Sequence, residues 1–172
     1  MGFLRKTRKK KIKPVSFSAL EHYRIDILPQ YLNPQGLFFG GALLQIVEKY
    51  AQKVAQNHAQ YPCIVQGIDF VRFFSTVKRG DALYCYAQVN RCWDSLMEIG
   101  VKIVADDFLT LEKKKILNAY FSFVAVDEEK KPVSIYCVKP ETKEQITRYL
   151  AAEKRRMWRL KNTDFTSTVV PK

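Results

Sequence analysis

The sequence predicts one α+β domain in which a curved antiparallel sheet packs against a single long helix. Residues 40–59 repeat apolar side chains every three or four positions, which is the period of an amphipathic helix. Four later segments combine short apolar runs with alternation of apolar and polar residues, as strands do: residues 63–74, 82–92, 95–105 and 116–126. One early helix followed by several strands favours packing of that helix on one face of an antiparallel sheet.

Turn-forming residues place the other elements. Residues 16–28 predict a short first strand, and the prolines and glycine within residues 29–36 predict a long loop after it. The segments 78–81 and 127–132 predict turns between strands. The charged segment 141–161 predicts a C-terminal helix with a narrow apolar stripe.

The net charge of +12 is concentrated at the N-terminus. Residues 1–13 carry seven basic side chains and no acid. We therefore predict a disordered basic tail over residues 1–15, a single domain over 16–160 and a frayed C-terminus over 161–172. The tail is either simply solvated or a contact for anionic surfaces. It is too short to form a nucleic-acid-binding domain by itself, so nucleic acid is not an expected partner.

Composition argues against several classes of protein. No apolar run approaches the roughly 18 residues of a membrane span, and the first residues lack the apolar core of a secretory signal. The four cysteines are scattered and the chain has only two histidines, which argues against a zinc site or a disulfide scaffold. We expect a cytoplasmic protein with no bound metal.

The most informative motif surrounds the start of the predicted central helix. Asn33 lies seven residues before Gly40, and Glu48 lies eight residues after it. The first N–H groups of a helix have no intrahelical acceptor, and together with the helix dipole they can stabilise a developing oxyanion. We expect the amide, the helix N-terminus and the carboxylate to surround one small volume suited to a polarised carbonyl.

This motif and its context resemble the hotdog-fold acyl-CoA thioesterases, in particular the broad-specificity bacterial acyl-CoA hydrolases. The segments that carry the resemblance, in chain order, are residues 28–29, 33–36, 39–44, Glu48, 73–74, 77–81, Ser95, 121–127 and 131–133. The resemblance implies a hotdog fold, in which the sheet wraps the long helix. It also implies a homodimer with active sites at the subunit interface, and often a trimer of dimers.

The resemblance assigns roles to the residues of the motif. It implies that Glu48 acts as general base or nucleophile, that the Gly40 N–H polarises the thioester carbonyl, and that Asn33 belongs to the active site. Gly41 lies beside this oxyanion donor, and Ser95 is a candidate ligand contact. The ordinary alternatives are a surface glutamate paired with a lysine, a tight turn, a loop asparagine that bonds its own backbone, and a serine that starts a strand.

Further residues are candidates for binding the substrate. Phe39 belongs to an aromatic set that either lines the acyl tunnel or packs in the core: Phe38, Phe39, Phe73 and Phe74. Arg72 belongs to a basic set that either reaches the phosphates of CoA or is solvated: Arg72, Lys78, Arg79, Arg155 and Arg156. CoA is part of the substrate, and we expect no other cofactor.

Three positions depart from the family pattern. Glu48 stands where this subgroup usually has Asp, Asp94 where it usually has Thr, and Thr76 where it usually has Pro. The longer side chain of Glu48 changes the reach of the carboxylate. A negative charge at Asp94 could weaken the binding of an anionic CoA.

The resemblance implies hydrolysis of acyl-CoA to free fatty acid and CoA. The alternative is a hotdog protein that binds acyl-CoA without hydrolysing it, for instance as a sensor, which the substitution at Asp94 and the basic tail favour. A hotdog dehydratase would need a catalytic histidine near the helix, and neither His22 nor His58 is placed for that role.

Overall fold

The computed structural model describes residues 12–107, 110 and 112–162. Seven strands and two α-helices follow one another in this part of the chain: β1 (Ile12–Pro14), β2 (Leu20–Ile25), α1 (Gly40–Ala59), β3 (Cys63–Phe73), β4 (Ala82–Trp93), β5 (Leu96–Asp106), β6 (Lys113–Ala125), β7 (Cys137–Lys139) and α2 (Lys143–Asn162). Short 3₁₀ turns lie at Val15–Phe17 and Pro29–Tyr31. No helix of this described part is long and apolar enough to cross a bilayer.

Five strands form an antiparallel sheet in the order β2-β4-β5-β6-β3, so that β2 and β3 are its edges. The predicted α+β architecture is confirmed, with one long helix against this sheet and a C-terminal helix. The predicted helix 40–59 has the observed bounds of α1, and the four predicted strands agree with β3–β6 to within three residues.

Helix α1 buries its apolar stripe against one face of the sheet, here called the inner face. Leu43, Val47, Ala51 and Val54 are all at most 2% exposed. Side chains of a strand alternate between faces, and the inner positions of β4, β5 and β6 supply the opposing layer, which includes Leu83, Ile99, Ile103, Phe121 and Phe123. Helix α2 packs on the opposite, outer face, where Arg155 contacts Tyr120 and Glu98.

The parallel pair of β1 and β7 was not predicted from the sequence. Strands of three residues contain too little alternation to be recognised, and their partners are more than 100 residues apart. The prediction of a disordered tail over residues 1–15 is wrong for its last four residues, since 12–14 form β1 and Val15 is buried. Residues 1–11 and 163–172 lie outside the described part, and residues 161–162 continue α2.

His58 connects the end of α1 to this small sheet. It is fully buried, its Nε2 lies 3.0 Å from the carbonyl oxygen of Tyr136 and its Nδ1 lies 3.4 Å from Ser18 Oγ. A neutral ring protonated at Nε2 can donate to the carbonyl and accept from the hydroxyl. Burial lowers the pKa of His58 below 6.5, the hydrogen bond to Tyr136 opposes this, and the charge of Lys13 lowers the pKa further.

Folding stability should therefore fall on mild acidification. Well above pH 6.5, the ordinary pKa of histidine, His58 is neutral in both the folded and the unfolded state. Below pH 6.5 the histidine of the unfolded chain binds a proton, whereas the buried His58 of the folded chain stays neutral. The free energy of unfolding therefore decreases by up to about 1.4 kcal/mol per pH unit, until the pH reaches the pKa of His58 in the folded state. When the free energy of unfolding is measured with urea at several pH values between 5 and 8, it should change less with pH for His58→Gln than for the wild type. An equal pH dependence of the free energy of unfolding in both proteins would mean that His58 is not its cause.

Candidate active site

Helix α1 begins with an uncapped N-terminus. Gly40 is its first residue, no side chain caps it at Phe39, and its first turn contains no acid. The N–H of Leu43 already donates to the Phe39 carbonyl at 3.0 Å, whereas the preceding helical N–H groups have no intrahelical acceptor. These donors and the positive end of the helix dipole can hold a negatively charged oxygen.

A cleft of about 340 Å³ lies in front of this helix N-terminus. It is lined by Phe38, Gly40, Leu43, Phe73, Phe74, Ser75, Thr76, Val77 and Ile116. A Cβ at Gly40 would lie 3.4 Å from Cζ of Phe73, so any side chain at Gly40 would narrow the cleft. The cleft is therefore apolar on most sides, with backbone N–H groups at one end.

Asn33 is fixed by its own loop. Its Oδ1 accepts hydrogen bonds from the N–H groups of Gln35 at 3.0 Å and Leu37 at 2.9 Å. A bridge between Leu32 and Phe38 closes this loop, which places Asn33 at the base of the segment that enters α1. The interpretation as a turn residue is therefore correct. It leaves the amide nitrogen of Asn33 without an acceptor among the described residues and free to donate.

Glu48 does not share the cleft with Gly40. Eight residues along a helix correspond to about 12 Å, which is beyond the reach of a glutamate side chain. Glu48 is half-buried and forms no hydrogen bond or ion pair with the described residues, including the neighbouring lysines. The expectation that Asn33, Gly40 and Glu48 surround one volume is therefore wrong for a single chain, because the helix itself separates the carboxylate from its own N-terminus.

The other predicted residues are dispersed. Gly41 is exposed next to Gly40, and a Cβ there would meet nothing within 4 Å. Phe39 is 49% exposed and lies outside the cleft, which Phe38 lines instead. Arg72 is exposed near the end of β3.

Ser95 lies at the other end of the sheet from Gly40. Its carbonyl accepts the N–H of Ala125 at 2.9 Å, and Ala125 pairs with Cys63 at the beginning of β3. Gly40, by contrast, packs against Phe73 at the end of β3, about 33 Å away along that strand. One chain does not bring Ser95 and Gly40 together.

Two of the basic candidates for binding phosphate have other partners. Arg155 Nη2 lies 2.7 Å from Oε1 of the buried Glu98, so its charge is already neutralised within the fold. Arg156 stacks on the ring of Trp93 at 4.9 Å. Sequence reasoning also missed a basic residue, Lys115, whose Nζ lies 4.0 Å from the ring centre of Phe74 in the wall of the cleft.

The family model described as thioesterase superfamily matches residues 35–110. The crystal structure of an apo-hexameric acyl-CoA thioesterase is 30% identical in sequence and superposes with a TM-score of 0.85, covering 90% of this chain and 99% of that chain. This chain belongs to the thioesterase superfamily. As a member of that family it has the hotdog fold, with α1 as the central helix.

Two other thioesterases define the similarity further. An acyl-CoA hydrolase from Staphylococcus aureus, solved with butyryl-CoA, CoA and CoA disulfide, is 30% identical with a TM-score of 0.79, covering 87% of this chain and 93% of that one. It was also solved as three variants in which an Asn, an Asp or a Thr is replaced by Ala. Acyl-coenzyme A thioesterase 11 from Mus musculus is 34% identical over 76% of this chain, which spans only 22% of that relative.

Proposed function

We propose that this chain is an acyl-CoA thioesterase, which hydrolyses acyl-CoA to free fatty acid and CoA. The observation that carries the proposal is the uncapped N-terminus of α1 at Gly40, which opens on an apolar cleft within a thioesterase-superfamily fold. The S. aureus hydrolase that binds butyryl-CoA supports the same substrate class. The reaction belongs to fatty acid metabolism and needs no further cofactor, since CoA is part of the substrate.

The proposed active site is completed by a second subunit. Strand β3 is an edge of the sheet, and it exposes Ile64 (47%), Ile68 (37%) and Phe70 (49%). Exposed apolar residues on an unpaired strand favour pairing with another strand. In a two-fold dimer the two β3 edges run antiparallel, so the beginning of one lies beside the end of the other.

This pairing would bring together residues that are far apart within one chain, namely Gly40 with Ser95 and with Glu48. It brings the partner's Ser95 from the far end of the sheet towards Gly40. The partner's α1 runs antiparallel to the first α1 and can present the partner's Glu48 to the cleft. An acid that has no partner among the described residues of its own chain is thereby given a function in the dimer.

We propose the following reaction. The thioester carbonyl lies at the N-terminus of α1, where the Gly40 N–H and the Asn33 amide donate to its oxygen. The partner's Glu48 takes a proton from water, and the water oxygen attacks the carbonyl carbon. The tetrahedral intermediate keeps its negative charge on the carbonyl oxygen, held by these donors. Its collapse breaks the C–S bond, and the CoA sulfur receives the proton from the partner's Glu48.

The spacing of the replaced residues in the S. aureus hydrolase supports the assignment. Its Asn and Asp are separated in sequence by the same interval as Asn33 and Glu48. When the interval from that Asp to the replaced Thr is counted onward from Glu48, it ends at Val65 in this chain. This chain therefore lacks a hydroxyl at that place.

Val65 favours a second candidate function, a hotdog protein that binds acyl-CoA without turnover. Asp94 no longer does, because its carboxylate accepts a hydrogen bond from Ser134 Oγ and its carbonyl accepts the N–H of Ile135 at 2.9 Å. These contacts assign Asp94 to the turn between β4 and β5. Measurable acyl-CoA binding without CoA release would establish this second function.

The assembly and the location are part of the proposal. The similar thioesterase with 99% coverage was solved as a hexamer, and we propose a homodimer as the unit, with three dimers forming a hexamer. Four free cysteines fit the reducing conditions of the cytoplasm. The residues of the basic tail that lie outside the described part remain a candidate contact for anionic surfaces.

Release of CoA from acyl-CoAs of two to eighteen carbons, followed with a thiol reagent, tests the reaction, and mixed dimers test the shared site. Asn33→Ala and Glu48→Gln should each be almost inactive as homodimers. Unfolding and refolding the two together should restore activity, because a hybrid dimer contains one intact Asn33 opposite one intact Glu48. Hybrids that form but remain inactive would mean that both residues act within one chain.

A further inference from the structure

We propose that Arg72 and Lys115 form a phosphate-binding rim at the mouth of the cleft, which holds the nucleotide end of CoA. This inference rests on the proposed acyl-CoA substrate and assigns the residues that recognise its anionic part. Both cations lie over the ring of Phe74, with the Arg72 guanidinium carbon at 5.4 Å and Lys115 Nζ at 4.0 Å from the ring centre. Arg72, Lys115 and the ring of Phe74 beneath them are together called the rim.

The rim is continuous with the proposed reaction centre. Gly40 packs against the ring of Phe73, and the next residue, Phe74, lines the same cleft. The N–H of Phe74 donates to the carbonyl of Ile116 at 2.8 Å, which brings the start of β6 and therefore Lys115 beside the end of β3. A thioester held at Gly40 would extend past Phe73 and reach two cations where the cleft opens.

The charges of the rim are not neutralised by the fold. Among the described residues, neither Arg72 nor Lys115 forms an ion pair. The polar neighbour of Lys115 is uncharged: with the Asn118 amide turned so that its oxygen faces the ammonium group, Nζ donates to it at 3.1 Å. The adjacent Lys114 differs, because it pairs with Asp107. Cations without acidic partners beside an open cleft favour an anionic ligand.

Phosphate is the chemical group that best fits this rim. Arg offers a planar fork of donors and Lys offers a point charge, and both are common ligands of phosphate. The apolar lining of the cleft suits the acyl chain, whereas the cationic rim suits the end of CoA that carries phosphates. The ring of Phe74 fixes both cations by cation–π contacts at a partly exposed site, which orients them without neutralising them.

Binding of free CoA tests the rim directly and does not depend on turnover. Lys115→Gln and Arg72→Gln should each raise the Kd of CoA measured by calorimetry, and the double variant by about tenfold to a hundredfold, since each lost contact is a hydrogen bond to a charged group. The affinity of the wild type should also fall with salt more steeply than that of the double variant. An unchanged Kd in the double variant would overturn the proposal.

A second comparison separates recognition from a structural role. The ratio of kcat/KM for acyl-CoA to kcat/KM for the matching N-acetylcysteamine thioester, which lacks the nucleotide, should fall about tenfold in the double variant. An equal loss on both substrates would mean that the rim only supports the fold. Lys143→Gln is the matched control, because Lys143 is exposed at the start of α2 on the outer face of the sheet, away from the β3 edge, and its replacement should leave the ratio unchanged. If the wild-type protein binds CoA but hydrolyses neither substrate, the proposed thioesterase activity is refuted. The Kd of CoA in the rim variants then still tests whether the rim binds phosphate.

Discussion

Glu48→Gln should lower kcat for acyl-CoA hydrolysis by about 10²-fold to 10⁴-fold, which is the usual contribution of a general base. The amide keeps the shape of the side chain but cannot accept a proton from water. Because Glu48 makes no ion pair or hydrogen bond with the described residues of its own chain, its neutralisation should not destabilise the fold. The Kd of CoA should change little, because in the proposed complex CoA contacts the rim and the cleft rather than the base.

The measurement is steady-state CoA release together with urea unfolding at one protein concentration. Glu21→Gln is the matched control, because Glu21 is an exposed acid on β2, the edge of the sheet opposite β3, and its replacement should leave kcat unchanged. Full activity of Glu48→Gln would remove the carboxylate from the mechanism while keeping the reaction. Loss of both activity and folded structure would instead give Glu48 a structural role.

Glu98→Ala should destabilise the fold by about 3–5 kcal/mol, the usual effect of removing one partner from a buried ion pair. Glu98 lies on the outer face of β5 and is fully buried under α2. Its carboxylate accepts from Arg155 at 2.7 Å, Arg159 at 3.2 Å and the amide of Asn90 at 3.0 Å. The substitution would leave the Arg155 guanidinium, 15% exposed, without an acid in the described part of the chain.

Space for this cluster is made by a glycine. A Cβ at Gly100 would lie 2.6 Å from Nδ2 of Asn90, so the amide can turn towards Glu98 only because residue 100 has no side chain. Through its ion pairs with Arg155 and Arg159, Glu98 thus links α2 to the outer face of the sheet.

Urea unfolding at fixed protein concentration measures the effect, since oligomerisation makes apparent stability concentration-dependent. Glu144→Ala is the control, because Glu144 also pairs with an arginine of α2, Arg148, but its side chain is 81% exposed. Such exposed pairs contribute at most about 1 kcal/mol. Similar losses for Glu98→Ala and Glu144→Ala would show that the buried carboxylate does not fasten α2 more strongly than a surface acid does.

Local patterns were sufficient for the main elements and for part of the site. The bounds of α1 follow from its apolar period and from Gly40 and Gly41 at its start, and β3–β6 follow from their alternation. The helix N-terminus as an anion site follows from the backbone alone. Asn33 as a turn residue also follows from its place before a proline. The assignments of Glu48, Asn33 and Gly40 to catalysis stay predictions.

The composition of the candidate site could not be predicted in full, because it depends on contacts between distant segments. The sequence offered Arg155 and Arg72 as equivalent cations, but Arg155 is neutralised by Glu98, 57 residues away. Lys115 was missed because nothing in its neighbourhood indicates that Phe74 lies beneath it. Phe38 rather than Phe39 lines the cleft, which the orientation of the segment before α1 decides.

The sequence by itself determined that this chain forms a long helix with an open N-terminus followed by strands, because helix and strand periods are properties of neighbouring residues. Only the tertiary structure decided that β1 pairs with β7, that α2 is fastened through Glu98, and that Glu48 lies too far from Gly40 in one chain. These outcomes depend on which distant surfaces meet when the sheet closes on α1. The spacing of residues along the sequence does not indicate which of these distant segments come into contact.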